Sequence, residues 1–229
     1  MENSMRYARN LGSITRQEQD LLRRRKVCVI GCGGLGGFLL EYLARLGVGH
    51  ITAVDGDRFD PTNLNRQILA TEDNLGLSKA AEAKKRLARV NPDVQLTAVE
   101  QFLTAENAAE ILAGHHLVLD ALDSIPHRLM LQRICRELKI PLVHGAVEGW
   151  FGQVTTVLPG DDTLSRLYHG SRETSAPEHS SGTLAFAPAL VASVQAGETV
   201  KLLLDREPAL RGEVLFVDLL QNHFDIMPL

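Results

Sequence analysis

Apolar residues recur in two rhythms along this chain, short unbroken runs and runs spaced by three or four, and their alternation predicts strands followed by helices. Val27-Cys28-Val29-Ile30 is the first unbroken run. Leu35, Phe38, Leu39, Tyr42, Leu43 and Leu46 then recur at helical spacing, and Gly47 ends that helix. A second strand, His50 to Val54, precedes a helix that Ser78 caps and that carries Ala80, Ala83, Leu87 and Val90. Asn91-Pro92-Asp93 stops it before a strand from Val94 to Val99, and Thr104 opens a further short helix. Leu117 to Ala121 reads as a buried strand, Pro126 as a first-turn helix proline and Ile140 to Val143 as another strand. Upstream, Thr15 and Glu18 fit a capping box for a helix running to about Arg24, and the residues before it form an arm. Repeated strand and helix predict an α/β fold, a Rossmann-like doubly wound sheet that is mostly parallel.

The second half changes character. Gly152 to Leu158 alternates like an exposed strand, while Pro159 to Thr183 is polar, lacks periodicity and reads as a long mobile loop. Pro188 starts an apolar helix through Leu204, and two closing strands, Val214 to Leu219 and His223 to Met227, add antiparallel strands to the C-terminal half. With 229 residues the chain reads as a single domain, 1–229, with an N-terminal arm and helix at 1–26, a nucleotide-binding half at 27–146 and a second half at 147–229.

Composition narrows the function. The chain is 45% hydrophobic and 23% charged with a formal net charge of -4, so nothing points to a nonspecific nucleic-acid binder, and a nucleic-acid partner, recognised by a local patch, is an unfavoured one. The cationic run Arg23 to Lys26 lies at a helix end, where the dipole favours it. No signal-like apolar core and no membrane-length stretch occur, so the expectation is a cytosolic protein without a membrane partner. Cys28, Cys32 and Cys135 form no Cys-x-x-Cys pair, and the eight histidines lack companions at ligand spacing, which argues against zinc and against a disulfide framework.

The chemistry begins where the first strand ends. Gly31, Gly33 and Gly36 fit the spacing of a phosphate-approaching turn, and Asp55 ends the second strand where a carboxylate accepts ribose hydroxyls. These alone also suit a nicotinamide-dependent dehydrogenase, or a tight turn with Asp55 closing a loop. Asn63, Arg66, Gln67 and Lys79 add what a triphosphate needs: two cations to offset charge and amides to hold phosphate or ribose oxygens. Asp120 and Asp123 lie at and just past the end of a parallel strand, and one of them can hold Mg²⁺; capping of the next helix by Asp123 or Ser124 is the competing structural role. No Ser-His or Cys-His pairing is legible.

Together these residues, with Arg6-Tyr7-Ala8-Arg9 and Asp55-Gly56-Asp57, resemble the ThiF/MoeB/HesA family, bacterial relatives of ubiquitin-activating enzymes, over most of the chain. The resemblance implies one E1-like adenylation domain whose second half holds a crossover loop and binds a carrier protein. It implies ATP and Mg²⁺ as cofactors, Gly34 and Lys79 at the phosphates, Asp55 on the ribose with Asp57 beside it, and Asn63 and Arg66 on the nucleotide. It implies Asp123 as the Mg²⁺ ligand, and Arg9 reaching the ATP of the opposite subunit in a homodimer. The implied reaction is adenylation of the C-terminal glycine of a small ubiquitin-fold sulfur carrier. The chain departs from the family's pattern in lacking both zinc-binding Cys-x-x-Cys pairs and the crossover-loop cysteine, whose place Ser180 takes. Serine forms no persulfide, so activation is expected to end at the acyl adenylate. A noncatalytic carrier-binding subunit, a nicotinamide-dependent oxidoreductase and adenylation of a tRNA base are the competing readings.

Overall fold

The computed structural model describes residues 5–170 and 182–229. Its elements are α1 (Arg16–Leu22), β1 (Lys26–Ile30), α2 (Gly34–Leu46), β2 (His50–Val54), α3 (Lys79–Val90), β3 (Gln95–Val99), α4 (Ala108–Leu112), β4 (Leu117–Asp120), α5 (Ile125–Leu138), β5 (Leu142–Glu148), β6 (Phe151–Val157), α6 (Thr163–Leu167), α7 (Phe186–Leu203), β7 (Glu213–Asp218) and β8 (His223–Pro228). The strands form one eight-stranded sheet in the order β3-β2-β1-β4-β5-β6-β7-β8. Pairing is parallel from β3 to β5 and antiparallel from β5 to β8. The chain winds outward from β1 to β3 and then returns to lay β4 on the other side of β1. That reversal opens a crevice at the carboxyl ends of β1 and β4, where open α/β sheets bind ligands.

Alternation across the strands divides the apolar residues between two cores. Val27 and Val29 pack with Leu117 and Leu119 under α2, α3 and α7, whereas Cys28, Ile30 and Val118 pack under α4, α5 and α6. Both sheet faces are thus covered, which is why these strands read as unbroken apolar runs. The Thr15 capping box forms as expected, with Glu18 N donating to Thr15 Oγ1 and Thr15 N to Glu18 Oε2. Ser78 caps α3, and Gly47 terminates α2 in the left-handed conformation. The arm is tied down by Tyr7, whose ring lies against Gly47 and whose hydroxyl accepts from Asn91.

Five expectations shift. Thr104 does not open α4: Asn107 holds the cap position and its side-chain oxygen takes the Thr104 amide, so the helix begins at Ala108. β5 runs on to Glu148 because it continues into a hairpin with β6. β6 is buried along most of its length, since α7 and both flanking strands cover it. The polar segment from Pro159 contains α6, anchored by Gln132 Oε1 accepting from the Leu164 amide, while 171–181, including Ser180, lie outside the described residues. α7 begins two residues before Pro188, which sits harmlessly in its first turn. No helix among the described residues is long and apolar enough to cross a membrane.

Candidate active site

Two glycines shape the turn after β1. Gly31 has φ +98°, and a Cβ there would lie 2.6 Å from the Ala121 carbonyl oxygen; a Cβ on Gly36 would lie 1.8 Å from the Gly31 oxygen. Backbone touching backbone leaves no room for a side chain, so α2 starts tightly against the strand end. Gly33 and Gly34 differ. A Cβ on either would meet nothing closer than 3.5 Å, yet both line a cleft of about 460 Å³. Their lack of a side chain leaves space for a ligand to approach the first turn of α2 and its unpaired amides.

Asp55, one residue past β2, braces this turn: its Oδ2 accepts from Cys32 N at 2.7 Å and its Oδ1 from Asp57 N at 2.8 Å. Each oxygen keeps a free lone pair, and the carboxylate faces the cleft. Lys79, the first residue of α3, is buried there and pairs with Asp57 at 2.5 Å. That cation holds the Asp57 carboxyl below its ordinary value despite the opposing effect of partial burial, which is the largest single influence on it. Arg66 also lines the cleft and donates to Thr62 O and Asn65 Oδ1. Gln67 is buried beside the glycine turn, and its Oε1 has no hydrogen-bond partner among the described residues. An orphaned acceptor at a cleft wall needs a donor from a ligand or solvent, and a nucleotide's ribose hydroxyls would supply one.

Asn63 lies outside the cleft lining, buried with its Oδ1 accepting from Asp60 N at 3.0 Å, so it braces the loop that carries Arg66 and Gln67. Arg9 is exposed on the arm, outside the lining and without an ion pair to any described residue. The two acids near β4 separate completely. Asp120 is fully buried and accepts from His144 Nδ1 at 2.7 Å, whereas Asp123 is exposed, lines the cleft and makes no hydrogen bond with a described residue. A single carboxylate beside space for phosphates is a donor set that suits Mg²⁺, which completes its shell with phosphate oxygens and water. Among the described residues no group of three or more His, Cys, Asp or Glu is clustered as a metal cage.

Three features escaped sequence reasoning. Phe102 and Thr104 close the far wall of the cleft, reached through the turn after β3. Ser124 Oγ lies 2.5 Å from His127 Nδ1, a Ser-His contact that corrects the expectation of none; His127 lines the cleft and Ser124 does not, and the contact leaves α5 without a side-chain cap. Arg128 is buried at the cleft floor, bonded to Leu122 O and Tyr168 Oη. The regular i, i+3 spacing of Ser124 and His127 was the one available signal for their contact. All three cysteines are buried; burial pushes the Cys28 and Cys32 thiols well up and Cys135 to about 12.

Comparison with known proteins fits this geometry. The chain is 37% identical over 227 residues to the SAMP-activating enzyme E1 of Haloferax volcanii, covering 97% of this chain and 84% of that protein. It is 36% identical over 231 residues to the sulfur carrier protein adenylyltransferase of Thermus thermophilus, covering 96% and 84%. Among solved structures, the Escherichia coli MccB complex with ATP superposes with a TM-score of 0.83 at 22% identity, covering 99% of this chain and 72% of that one, which establishes the shared fold. The ThiF family model matches residues 7–229, and the chain is therefore a member of the ThiF family, with adenylyltransferases as its relatives.

Proposed function

We propose that the cleft binds ATP with Mg²⁺ and that the chain adenylates the C-terminal glycine carboxylate of a small ubiquitin-fold sulfur-carrier protein. The observation that carries this reading is the convergence, in one cleft, of the open Gly33-Gly34 turn, the cations of Arg66 and Lys79, the Gln67 oxygen that no described residue pairs and the exposed Asp123 carboxylate. A dehydrogenase has no need of two cations and a lone acid facing each other across a glycine turn. The carrier as partner follows from the relatives, whose names include a sulfur carrier protein adenylyltransferase.

A carrier carboxylate oxygen attacks the α-phosphorus, the bond from that phosphorus to the β-phosphate's bridging oxygen breaks, and pyrophosphate leaves. Both reactants are anions, so the protein's task is to offset charge and fix geometry. Bound Mg²⁺ supplies further positive charge to the phosphate oxygens. Lys79 must loosen from Asp57 or share it to face phosphate, and Arg66, held by Thr62 O and Asn65 Oδ1, is pre-oriented along the cleft edge. Asp55 and Gln67 hold the ribose, and Asp123 the Mg²⁺. Val147, Thr183 and Pro188 line the open end, and the exposed Trp150 and Phe186 rings touch beyond it at 5.1 Å between centroids, an apolar path for the carrier's tail. In a homodimer Arg9 of one subunit reaches the nucleotide of the other. With every cysteine buried, no enzyme thioester forms and activation ends at the acyl adenylate.

The test is Mg²⁺-dependent ATP-pyrophosphate exchange with a panel of small ubiquitin-fold carriers. Exchange with one carrier, lost in Arg9→Ala and in Asp123→Ala, is the expected result. Tight ATP binding with no exchange for any carrier would favour a noncatalytic carrier-binding subunit.

A further inference from the structure

The acid assigned to Mg²⁺ makes no hydrogen bond with any described residue, so the backbone that presents it must hold it in place. That backbone is gripped on both sides at Leu122. Its N–H donates to Asp120 Oδ1 at 2.9 Å, and its carbonyl accepts from Arg128 Nη2 at 2.8 Å and Nε at 3.2 Å. The two grips are joined behind the cleft. Arg128 Nη1 lies 2.9 Å from Tyr168 Oη, Tyr168 Oη lies 3.0 Å from His144 Nε2, and His144 Nδ1 lies 2.7 Å from Asp120 Oδ2.

Every proton in this ring has one consistent direction. Burial keeps the imidazole neutral and the phenol protonated. His144 therefore donates through Nδ1 to Asp120 and accepts at Nε2 from the Tyr168 hydroxyl, whose oxygen accepts from Arg128 and from Gln153 Nε2 at 2.7 Å. Arg128 is the one buried arginine among the described residues, and no carboxylate among them forms an ion pair with it; the Asp120 charge that balances it stands at the other end of the ring. A buried charge pair held at such separation is costly unless its intervening bonds are kept, which makes the arrangement a single unit.

We infer that Arg128, Tyr168, His144 and Asp120 form a closed relay that clamps Leu122 and so positions the Asp123 carboxylate in the cleft. The four act as positioning residues, and their link to Mg²⁺ rests on the function proposed above. Tyr168, the residue that ends α6, thereby contributes to the site from the sheet face opposite the one that α2 covers.

The test pairs a structural readout with a functional one, in the full chain. Amide hydrogen exchange at Leu122 is measured for wild type, Tyr168→Phe and Arg128→Lys, with Val29 as an internal core reference. Loss of a relay bond should speed Leu122 exchange roughly tenfold while Val29 is unmoved. Mn²⁺ affinity in the presence of a non-hydrolysable ATP analogue should weaken about fivefold in both variants, and neither should weaken it further in an Asp123→Asn background. Arg128→Lys, which keeps the charge but cannot fork onto Leu122 while reaching Tyr168, serves if Tyr168→Phe folds poorly. Unchanged Leu122 protection in a folded variant, or an equal loss of Mn²⁺ affinity without the Asp123 carboxylate, overturns the relay. Failure of wild type to bind nucleotide would sink the proposed function, and Leu122 exchange would still decide the clamp.

Discussion

Replacing Gly34 and Gly36 separately by alanine divides the glycine turn into its folding and ligand-binding parts. At Gly36 the added Cβ would lie 1.8 Å from a backbone oxygen, far inside contact distance, and neither partner is a flexible side chain. The cost belongs at the upper end of the overpacking range, about 3 kcal/mol, which for a chain of this size lowers Tm by roughly 6–12 °C. At Gly34, the first residue of α2, the added Cβ would meet Pro188 at 3.5 Å and Arg66 Cγ at 3.9 Å, ordinary packing. The unfolded chain loses freedom, so Gly34→Ala should be neutral or stabilising by about 0.4–1 kcal/mol. Its methyl, however, points into the cleft and blocks close approach of phosphate to the helix amides. Loss of one charge-assisted hydrogen bond, about 1.5–3 kcal/mol, weakens ATP binding roughly 10- to 150-fold. Scanning calorimetry of both variants and titration calorimetry with ATP on Gly34→Ala check this. Equal destabilisation by the two substitutions, or unchanged ATP affinity in Gly34→Ala, refutes the division.

Asp123→Asn should lower ATP-pyrophosphate exchange at least about 100-fold, yet leave Tm within about 1 °C because an exposed carboxylate without a partner among the described residues contributes little to the fold; a matching loss of Tm would show a structural role instead. The three buried cysteines should not react with a thiol-specific disulfide reagent in the native protein at pH 8 and should all react after denaturation. Rapid labelling of native protein would reopen a thioester. Burial lowers the folded-state values of His144 and His115 below 6.5, so the unfolded chain takes up more protons beneath that pH. Their contribution to stability is full above about pH 6.5 and declines as pH falls toward the folded values, at up to about 1.4 kcal/mol per pH unit for each. Tm measured at pH 7.5, 6.0 and 5.0 should fall, and less steeply in His115→Gln; identical slopes would remove His115 from the account.

The first 146 residues were legible as elements because their partners are either local or uniformly apolar. Caps such as Thr15 with Glu18 and Ser78 with Ala81 close within three residues, and strands buried on both faces show as unbroken runs. β6 was misread as exposed for the opposite reason. Thr155 and Thr156 break its apolar run, and what lets them be buried is remote: Thr155 Oγ1 donates to Glu213 O and Thr156 Oγ1 to Glu198 Oε2. A hydroxyl satisfied across 42 or 58 residues looks, in sequence, like a hydroxyl in water. α6 escaped because a five-residue helix offers too few positions for a period.

The site was legible to the same extent and no further. Motif spacing brought Gly31, Gly33, Gly34, Asp55, Arg66, Gln67, Lys79 and Asp123 to one cleft, while Asn63 proved to brace a loop. Choosing between Asp120 and Asp123 required one further step that strand alternation supplies. Asp120 is the last residue of β4 and shares a face with Val118, a residue packed under α5, so its side chain points into the core. A carboxylate there demands a buried donor, and the parallel register sets His144 of β5 beside it. Asp123 lies three residues beyond the strand, in the turn before α5, where it is exposed and lines the cleft. The buried acid holds the loop and the uncovered acid faces the cleft, and that division follows from where β4 stops.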